Sequence, residues 1–558
     1  MHAACSCTHV SLAPHTPVAS PKTQRLFHRT LLTLSICLLA ACGGGGGGQS
    51  ASPEASATAP PVTLSGQATF DYVPSVGGKL LYTKTEERPI RGATLEIVDH
   101  AGTLLQRTKT DAQGNYRVTL PSDLTVRLRV LAEIDANGVT VNVADNTRAD
   151  ALYALESEEF SANKGQADLH AGSGWTGSGY GQPRAAAPFA ILATVYRAQQ
   201  KLMAVEPAAG FKPLTLHWSE KNKRNAGDLS TGNIGVTFFR RGGVQGDIYV
   251  LGDADTDTDE YDESVIAHEW GHYYQWVFSR NDSLGGAHGG EPLEMTTAFA
   301  EGWGHGISGI VNERADISDS LDKGQAGGYA IPLQGVLPPA PGWYDEVSVA
   351  QVVYQLGQKA GLAPIHAAMK AMANTPAFTS IFSFANAVRN SSDAAGDALD
   401  PLLTAQSIVT SKASGDPYGS GETNDWGMAA NGVPPEASVL PIYRPLTLVK
   451  PDVSCSFDFV GINNKLGNHH FIRFDAPAAG KYRLTFQGGA RSDGTIAHPE
   501  VSWLENGRRV WYRPGLTQFD REMQLPAGVT VLSVTDKDVN SALAPVGCIR
   551  VSISALAI

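Results

Sequence analysis

The chain lacks long runs of basic residues, and this excludes one broad class of partner. Lys and Arg together number 43 against 55 Asp and Glu, which gives a formal net charge of -12. Residues 1–41 contain three of the bases and no acid, so without them the net charge is -15. Because binding to phosphate needs a positively charged face, we expect no nucleic acid partner.

Cysteine is also scarce, with six in 558 residues. Cys5, Cys7 and Cys37 precede residue 42, and only Cys455 and Cys548 follow it. These two frame the C-terminal segment. In an oxidising compartment such a pair predicts a disulfide, and two buried free thiols are the alternative.

No apolar run is long enough to cross a bilayer as a mature helix. The longest one near the N-terminus, 31–41, follows three basic residues and ends in Leu39-Ala40-Ala41-Cys42. This pattern resembles a bacterial lipobox. The resemblance implies a signal peptide over 1–41, a lipid on Cys42 and a location in the bacterial cell envelope, at the outer membrane or the periplasmic face. A plain signal peptide cut after Ala41 is the alternative.

The composition beyond Cys42 predicts a multidomain chain. Residues 42–61, rich in Gly, Ser, Ala and Pro, form a flexible linker. Alternating strands follow over 62–134. Their segment Arg88–Leu95 and the turn Thr110–Tyr116 resemble the carboxypeptidase-regulatory-like, transthyretin-like domain. That resemblance implies a non-catalytic β-sandwich.

Two further domains are predicted downstream. Over 150–440 three strand patterns precede several amphipathic helices, which indicates an α+β domain. Over 446–558 short strands separated by Pro and Gly predict a C-terminal β-sandwich or jelly roll.

The segment Val265–Trp276 contains the pattern His-Glu-x-x-His. On a helix, His268 and His272 lie on one face, one turn apart, and can bind one Zn²⁺ through neutral nitrogens. Glu269 lies beside them, where a general base would contact a water molecule. Two surface histidines are the alternative. Apolar neighbours, a preceding strand and a later helix with a Glu argue against it.

The third ligand distinguishes the subclasses of this motif. The extended metzincin pattern is excluded by Gln275 and Phe278, so a downstream Glu is expected. Glu291, Glu294 and Glu301 are the candidates, and Pro292 disfavours a helix at Glu291. The segment 297–305 resembles the second metal-binding helix of fungalysin-like peptidases, in which the Glu before Gly-Trp is a ligand. The resemblance to thermolysin-like and fungalysin-like gluzincins therefore implies Glu301, in a zincin-like fold.

One position departs from that family. Thermolysin and fungalysin place an Asp four residues after the ligand Glu, and this chain has His305. We interpret His305 as a solvent-facing helix residue, with a metal contact or a transition-state donor as alternatives, and expect an acid of 253–262 to orient the ligand histidine. The side chain that stabilises the oxyanion could be Tyr344, His288 or His305, and the sequence does not distinguish among them.

The resemblance implies a peptidase with one catalytic zinc ion and a peptide or protein substrate, anchored to a membrane by its lipid. We expect the strand at 247–251 to be the edge that an extended peptide joins. A surface lipoprotein that keeps the fold and acts in binding or adhesion is the alternative. Calcium at Asp253, Asp255 and Asp257 is a second alternative without support, since Thr258 and Ser264 replace the Gly and Glu of an EF-hand.

Overall fold

The computed structural model describes residues 59–411, 415–428, 435–456, 464–540 and 547–556. The predicted signal peptide, Cys42 and nearly all of the linker lie outside these residues, as does a strand predicted at 457–460. The described part contains no helix that is both long and apolar enough to cross a membrane.

Eighteen strands lie in the described residues before 333. In chain order they are β1 (Pro61–Tyr72), β2 (Glu86–Pro89), β3 (Ala93–Val98), β4 (Leu104–Lys109), β5 (Asn115–Pro121), β6 (Thr125–Ala136), β7 (Val139–Asp145), β8 (Ala151–Leu152), β9 (Ala154–Glu156), β10 (Phe160–Ser161), β11 (Leu169–Ala171), β12 (Leu214–Trp218), β13 (Phe238–Arg241), β14 (Gly246–Val250), β15 (Gly252–Asp253), β16 (Asp257–Thr258), β17 (Asp316–Leu321) and β18 (Gly327–Pro332).

The helices lie between and after these strands. They are α1 (Ala187–Val205), α2 (Glu263–Phe278), α3 (Met295–Asn312), α4 (Glu346–Ala360), α5 (Leu362–Met372), α6 (Ile381–Ser391) and α7 (Asp393–Ala405). Side chains cap several of their N-termini. Asp345 accepts from Ser348 N at α4, and Ser380 accepts from Ser383 N at α6. Such caps satisfy backbone N–H groups that have no partner within the helix.

One sheet runs through the predicted boundary at residue 134. Its order is β13-β14-β12-β7-β6-β3-β4, with the short strands β8, β9 and β10 at its sides. Strand β6 continues to Ala136 and turns into β7, and β7 pairs in parallel with β12. The separate sandwich predicted over 62–134 is therefore corrected in part. Strands β3, β4 and β6 share this sheet with the region that carries the His-Glu-x-x-His motif, whereas β1, β2 and β5 form a second sheet with β11.

The C-terminal part forms two sheets of its own, with strands β19 (Tyr443–Leu446), β20 (Asp452–Cys455), β21 (His470–Ala476), β22 (Gly480–Gly488), β23 (Pro499–Glu505), β24 (Arg508–Tyr512), β25 (Gln518–Leu525), β26 (Gly528–Asp536) and β27 (Cys548–Ala555). The sheet orders are β19-β21-β26-β23-β24 and β20-β27-β22-β25. Inward side chains of both sheets form one core, as in a β-sandwich. Cys455 and Cys548 form a disulfide across β20 and β27.

Two main hydrophobic cores result. One spans the N-terminal strands and all the helices and extends to Phe471 and Val531. The other belongs to the C-terminal sandwich. The chain thus consists of several β-sheets with helices gathered between residues 187 and 405.

Candidate metal centre

Helices α2 and α3 pack closely because glycines face each other where they cross. A Cβ on Gly271 would lie 3.1 Å from Cα of Gly304, and a Cβ on Gly304 would lie 2.7 Å from the ring of His268. The indole N–H of Trp303 donates to Gly271 O at 3.0 Å. Only residues without a side chain allow this approach, which brings the third-ligand candidate to the histidines.

Three side chains that could bind a metal ion meet between these helices. His268 Nε2 lies 3.0 Å from His272 Nε2 and 3.3 Å from Glu301 Oε2. His272 Nε2 lies 3.2 Å from the same oxygen. All three residues are buried. Glu301, predicted from the resemblance to fungalysin-like peptidases, is therefore the Glu that the structure brings to the histidine pair.

The charges within this group stabilise each other. Burial disfavours the charged form of His272, but the neighbouring Glu301 carboxylate outweighs it and raises the pKa of His272 to about 9. Burial likewise acts to raise the pKa of Glu301, and the adjacent His272 and His288 instead hold it well below its usual value. A buried carboxylate is thereby kept ionised beside two imidazoles.

The spacing of the three atoms fits a zinc ion. Ligand atoms about 2.0–2.1 Å from a tetrahedral zinc lie about 3.3 Å from one another. The observed separations of 3.0, 3.2 and 3.3 Å are close to this value. Two imidazoles and one carboxylate are also a donor set of catalytic zinc sites, which leave a fourth position open.

The two other Glu candidates are held elsewhere. The Glu294 carboxylate caps α3, accepting from Thr296 N and Thr297 N at 3.0 and 3.1 Å. Glu291 is half exposed and forms an ion pair with Lys465 at 3.5 Å. Neither belongs to the group of three.

His305 corrects two expectations. It is largely buried, and its Nδ1 lies 3.0 Å from Nδ1 of His268, the nitrogen that points away from Glu301. It is therefore neither a solvent-facing residue nor a fourth ligand. The acids of 253–262 do not orient His268, because this imidazole occupies that position. Burial, with His268 nearby, lowers the pKa of His305 to about 3 and keeps it neutral, so it can accept the proton of His268.

His288 lies on the other side of the group. Its Nε2 is 3.5 Å from Glu301 Oε2, and its Nδ1 is 2.9 Å from Glu346 Oε2 in the first turn of α4. Tyr344, by contrast, donates its hydroxyl to Asn424 Oδ1 at 3.0 Å. Of the two, the structure brings His288 to the centre. No sequence pattern points to Glu346, because nothing local links it to His288.

The loop that carries His288 is held by the C-terminal region. Asn464 Nδ2 donates to Gly285 O at 2.8 Å, and Lys465 Nζ donates to Ala287 O at 2.6 Å. Leu466 N donates to Pro292 O at 3.0 Å. Residues 464–466 therefore clamp both ends of this loop, and we call them the clamp segment.

Glu269 contacts the edge of the large sheet. Its Oε2 accepts from Phe239 N, on β13, at 2.7 Å. In the described residues β13 is the last strand on this side, and it covers β14 in antiparallel pairing. The expected edge at 247–251 is thus corrected, since the edge nearest the centre is 238–241.

A second group of acids lies near the same helix. Asp257, Asp259 and Asp319 place one carboxylate oxygen each within 4.8 Å of the others. The calcium alternative named Asp253, Asp255 and Asp257 instead. Of these, Asp255 is mostly exposed and pairs with Lys323 at 3.6 Å. The sequence missed Asp319 because it comes from β17, some sixty residues away.

Comparisons with known proteins add little. No family model matches the chain, and no curated protein matches it. The pre-peptidase C-terminal domain of a collagenase from Bacillus anthracis aligns at 9% identity over 20% of this chain and 94% of that one, with a TM-score of 0.15. A family 35 carbohydrate-binding module from Clostridium thermocellum aligns at 20% identity over 17% of this chain and 73% of that one, with a TM-score of 0.12. Similarity this low carries no argument.

Proposed function

We propose that this chain is a zinc-dependent peptidase of the gluzincin type, with a zincin-like fold around α2 and α3. It would act on peptides or proteins outside the cytoplasm, as a lipoprotein anchored through Cys42. The observation that carries the proposal is the convergence of His268 Nε2, His272 Nε2 and Glu301 Oε2 at 3.0–3.3 Å, with Glu269 adjacent. A purely structural metal would not require that additional carboxylate.

His268, His272 and Glu301 would hold the ion. A bound zinc ion supplies Lewis-acid chemistry, polarising a carbonyl and lowering the pKa of a water molecule to about 7. His305 fixes the orientation of His268 by accepting its Nδ1 proton. His305 can do so only because it is neutral.

Glu269 is the general base in this mechanism. The Phe239 N–H holds one of its oxygens toward the edge strand, and its other oxygen takes a proton from the attacking water. The same carboxyl then gives that proton to the leaving amine. An extended substrate would pair with β13, which places its backbone alongside Glu269.

His288 is the proposed donor to the oxyanion. Its Nδ1 lies 2.9 Å from Glu346 Oε2, and its Nε2 lies 3.5 Å from Glu301 Oε2 at the candidate metal centre. An N–H directed at the developing negative charge is worth about 100–1000-fold in rate in comparable hydrolases.

Metal analysis and a cleavage assay together test the proposal. The purified protein should contain about one zinc per chain and cleave casein or a peptide library. Glu269→Ala should retain zinc and lose cleavage by at least about 1000-fold, because only the proton transfer is removed. Glu301→Gln should lose zinc, and Glu291→Gln, which removes a carboxylate outside the centre, should keep it.

The binding or adhesion alternative predicts a different result. Zinc retained by the wild type, with no cleavage of any peptide in the library, would reject the peptidase. Zinc absent from the wild type and from protein reconstituted with zinc would reject the metal centre itself.

A further inference from the structure

A cavity opens beside Glu269 and is lined at the same time by Asp257, Asp259 and Asp319. Its volume is about 90 Å³. A single water molecule needs roughly 10–15 Å³ of such space, so the cavity has room for a group larger than one water molecule. His268, His288, His305 and Glu346 of the candidate metal centre also line it. Its apolar walls come from Val236, Leu251, Val265, Ile317, Leu321 and Ile331.

The acidic end of this cavity contains more acidic groups than basic ones. Three carboxylates meet there, and Arg224 is the one Lys or Arg among the described residues that line the cavity. Its Nη1 lies 3.5 Å from Asp257 Oδ2, and its side chain is partly exposed. Burial first, and repulsion by neighbouring acids second, raise the pKa of Asp257 and of Asp259. A cation placed here would relieve both effects.

Two carboxylate oxygens at this end also lack hydrogen-bond partners. Asp257 is 5% exposed, and its buried Oδ1 has no partner within the described residues. Oδ1 of Asp319 is likewise a buried atom without a partner within the described residues, although Tyr329 hydrogen-bonds to the same carboxyl group. Because buried polar atoms are nearly always paired in folded proteins, these oxygens point to a ligand that brings hydrogen-bond donors.

We propose that this cavity binds an arginine or lysine side chain of the substrate, next to the bond that is cleaved. The aliphatic stem would pack against the apolar walls, and the cationic head would reach the three aspartates. This inference rests on the proposed peptidase function and names its substrate class: peptides with a basic residue flanking the scissile bond.

A divalent metal ion is the competing occupant. It would satisfy the carboxylates, but it would leave the apolar walls facing water. A basic side chain accounts for both ends of the cavity and for its contact with Glu269. We therefore favour the side chain and include the metal in the test.

The test compares matched peptides that differ at one position, with Arg, Lys or Leu on either side of the cleaved bond. The wild type should show a higher kcat/KM for the basic peptides. Asp319→Asn and Asp257→Asn should each reduce the ratio of kcat/KM for the Arg peptide to that for the Leu peptide by about 10–100-fold. Both variants keep the side-chain size and remove a repelling charge, so we expect them to fold.

Asp255→Asn is the matched control. It removes an acid from the same acidic run, but that residue is mostly exposed and does not line the cavity. The Arg-to-Leu ratio should not change in this variant. Equal ratios in the wild type and both cavity variants would overturn the proposal, as would a wild type without preference for basic residues.

Metal analysis separates the two occupants. A second metal ion per chain that disappears in Asp319→Asn, together with no preference for basic peptides, would overturn the proposal in favour of a metal site. If the zinc-loaded wild type cleaves no peptide, the proposed function fails, and calorimetry with Nα-acetyl-arginine amide decides the cavity. Binding that Asp319→Asn abolishes would support a site for basic side chains, and no binding by the wild type would overturn it.

Discussion

The two β-sheet regions that flank the helices are attached to them in different ways. Strands of the N-terminal region lie in the same sheet as β12, β14 and β13, and their side chains share a core with the helices. The C-terminal sandwich has two sheets, a disulfide and a core of its own. Domains inferred from sequence patterns therefore need not coincide with the units that share a hydrophobic core. We expect the N-terminal strands to unfold with the helices that carry the candidate metal centre, and the sandwich to unfold separately.

Matched truncations in the two cores should give the largest effect. Leu216 in β12 and Leu484 in β22 are both fully buried. Each change to Ala should cost about 2–5 kcal/mol, because it removes buried methyl groups and leaves a cavity. Hydrogen exchange read by mass spectrometry should show faster exchange across β3, β6 and α2 in Leu216→Ala, and across β21–β27 only in Leu484→Ala. Unchanged exchange of β3 and β6 in Leu216→Ala would contradict the shared unit.

Loss of the disulfide should have a somewhat smaller effect, again confined to one region. Cys455 and Cys548 are 93 residues apart, so their bond restricts a long segment of the unfolded chain. Replacing both by Ser should destabilise the sandwich by about 2–4 kcal/mol. Denaturant unfolding with and without a reductant measures this, and the reductant should not affect the double variant. A matching loss of stability in the N-terminal unit would show that the two regions unfold together.

Acid should destabilise the contact between the N-terminal strands and α2, and this is the smallest of the expected effects. Glu263 at the start of α2 pairs with Arg197 and Arg88, and Tyr72 donates to it at 3.0 Å. Burial acts to raise its pKa, but the two arginines hold that pKa below the usual value. A lowered folded-state pKa stabilises the protein above about pH 4.3, the unfolded value, and the gain is lost as pH falls through the folded value.

The variant Glu263→Gln should therefore show a flatter dependence of stability on pH below about 4.3 than the wild type. Thermal unfolding at a series of acidic pH values gives this slope. Identical slopes for the two proteins would show that Glu263 does not link the junction to pH. The sandwich should show no change in slope, since this side chain lies outside it.

Local patterns in the sequence predicted much of this fold. His268 and His272 lie on one helix, α2, as their spacing predicts, and the segment 297–305, predicted to be a second helix, lies within α3. Strand β12 and most of the C-terminal strands follow from alternation in the same way. These features depend on neighbours in the chain, so composition and period are sufficient to find them.

The errors concern pairing between distant segments. Strand β7 joins β12 about seventy residues later, and no local pattern distinguishes that partner from a domain end. Strands β8 to β11 have only two or three residues each, too few to show a period. His305 was misjudged because its contact with His268 depends on how α3 crosses α2, which the spacing within α3 does not reveal.

The clamp segment has a consequence for the order in which the candidate centre is completed. Asn464 follows Gly285, whose carbonyl it holds, by 179 residues. A growing chain therefore contains His268, His272 and Glu301 well before it contains the residues that fix the loop with His288. A chain that stops short of residue 464 would have the histidine pair and its carboxylate but an unsupported His288. Assembly of the site thus waits for residues 464–466, which lie between strands β20 and β21 of the sandwich.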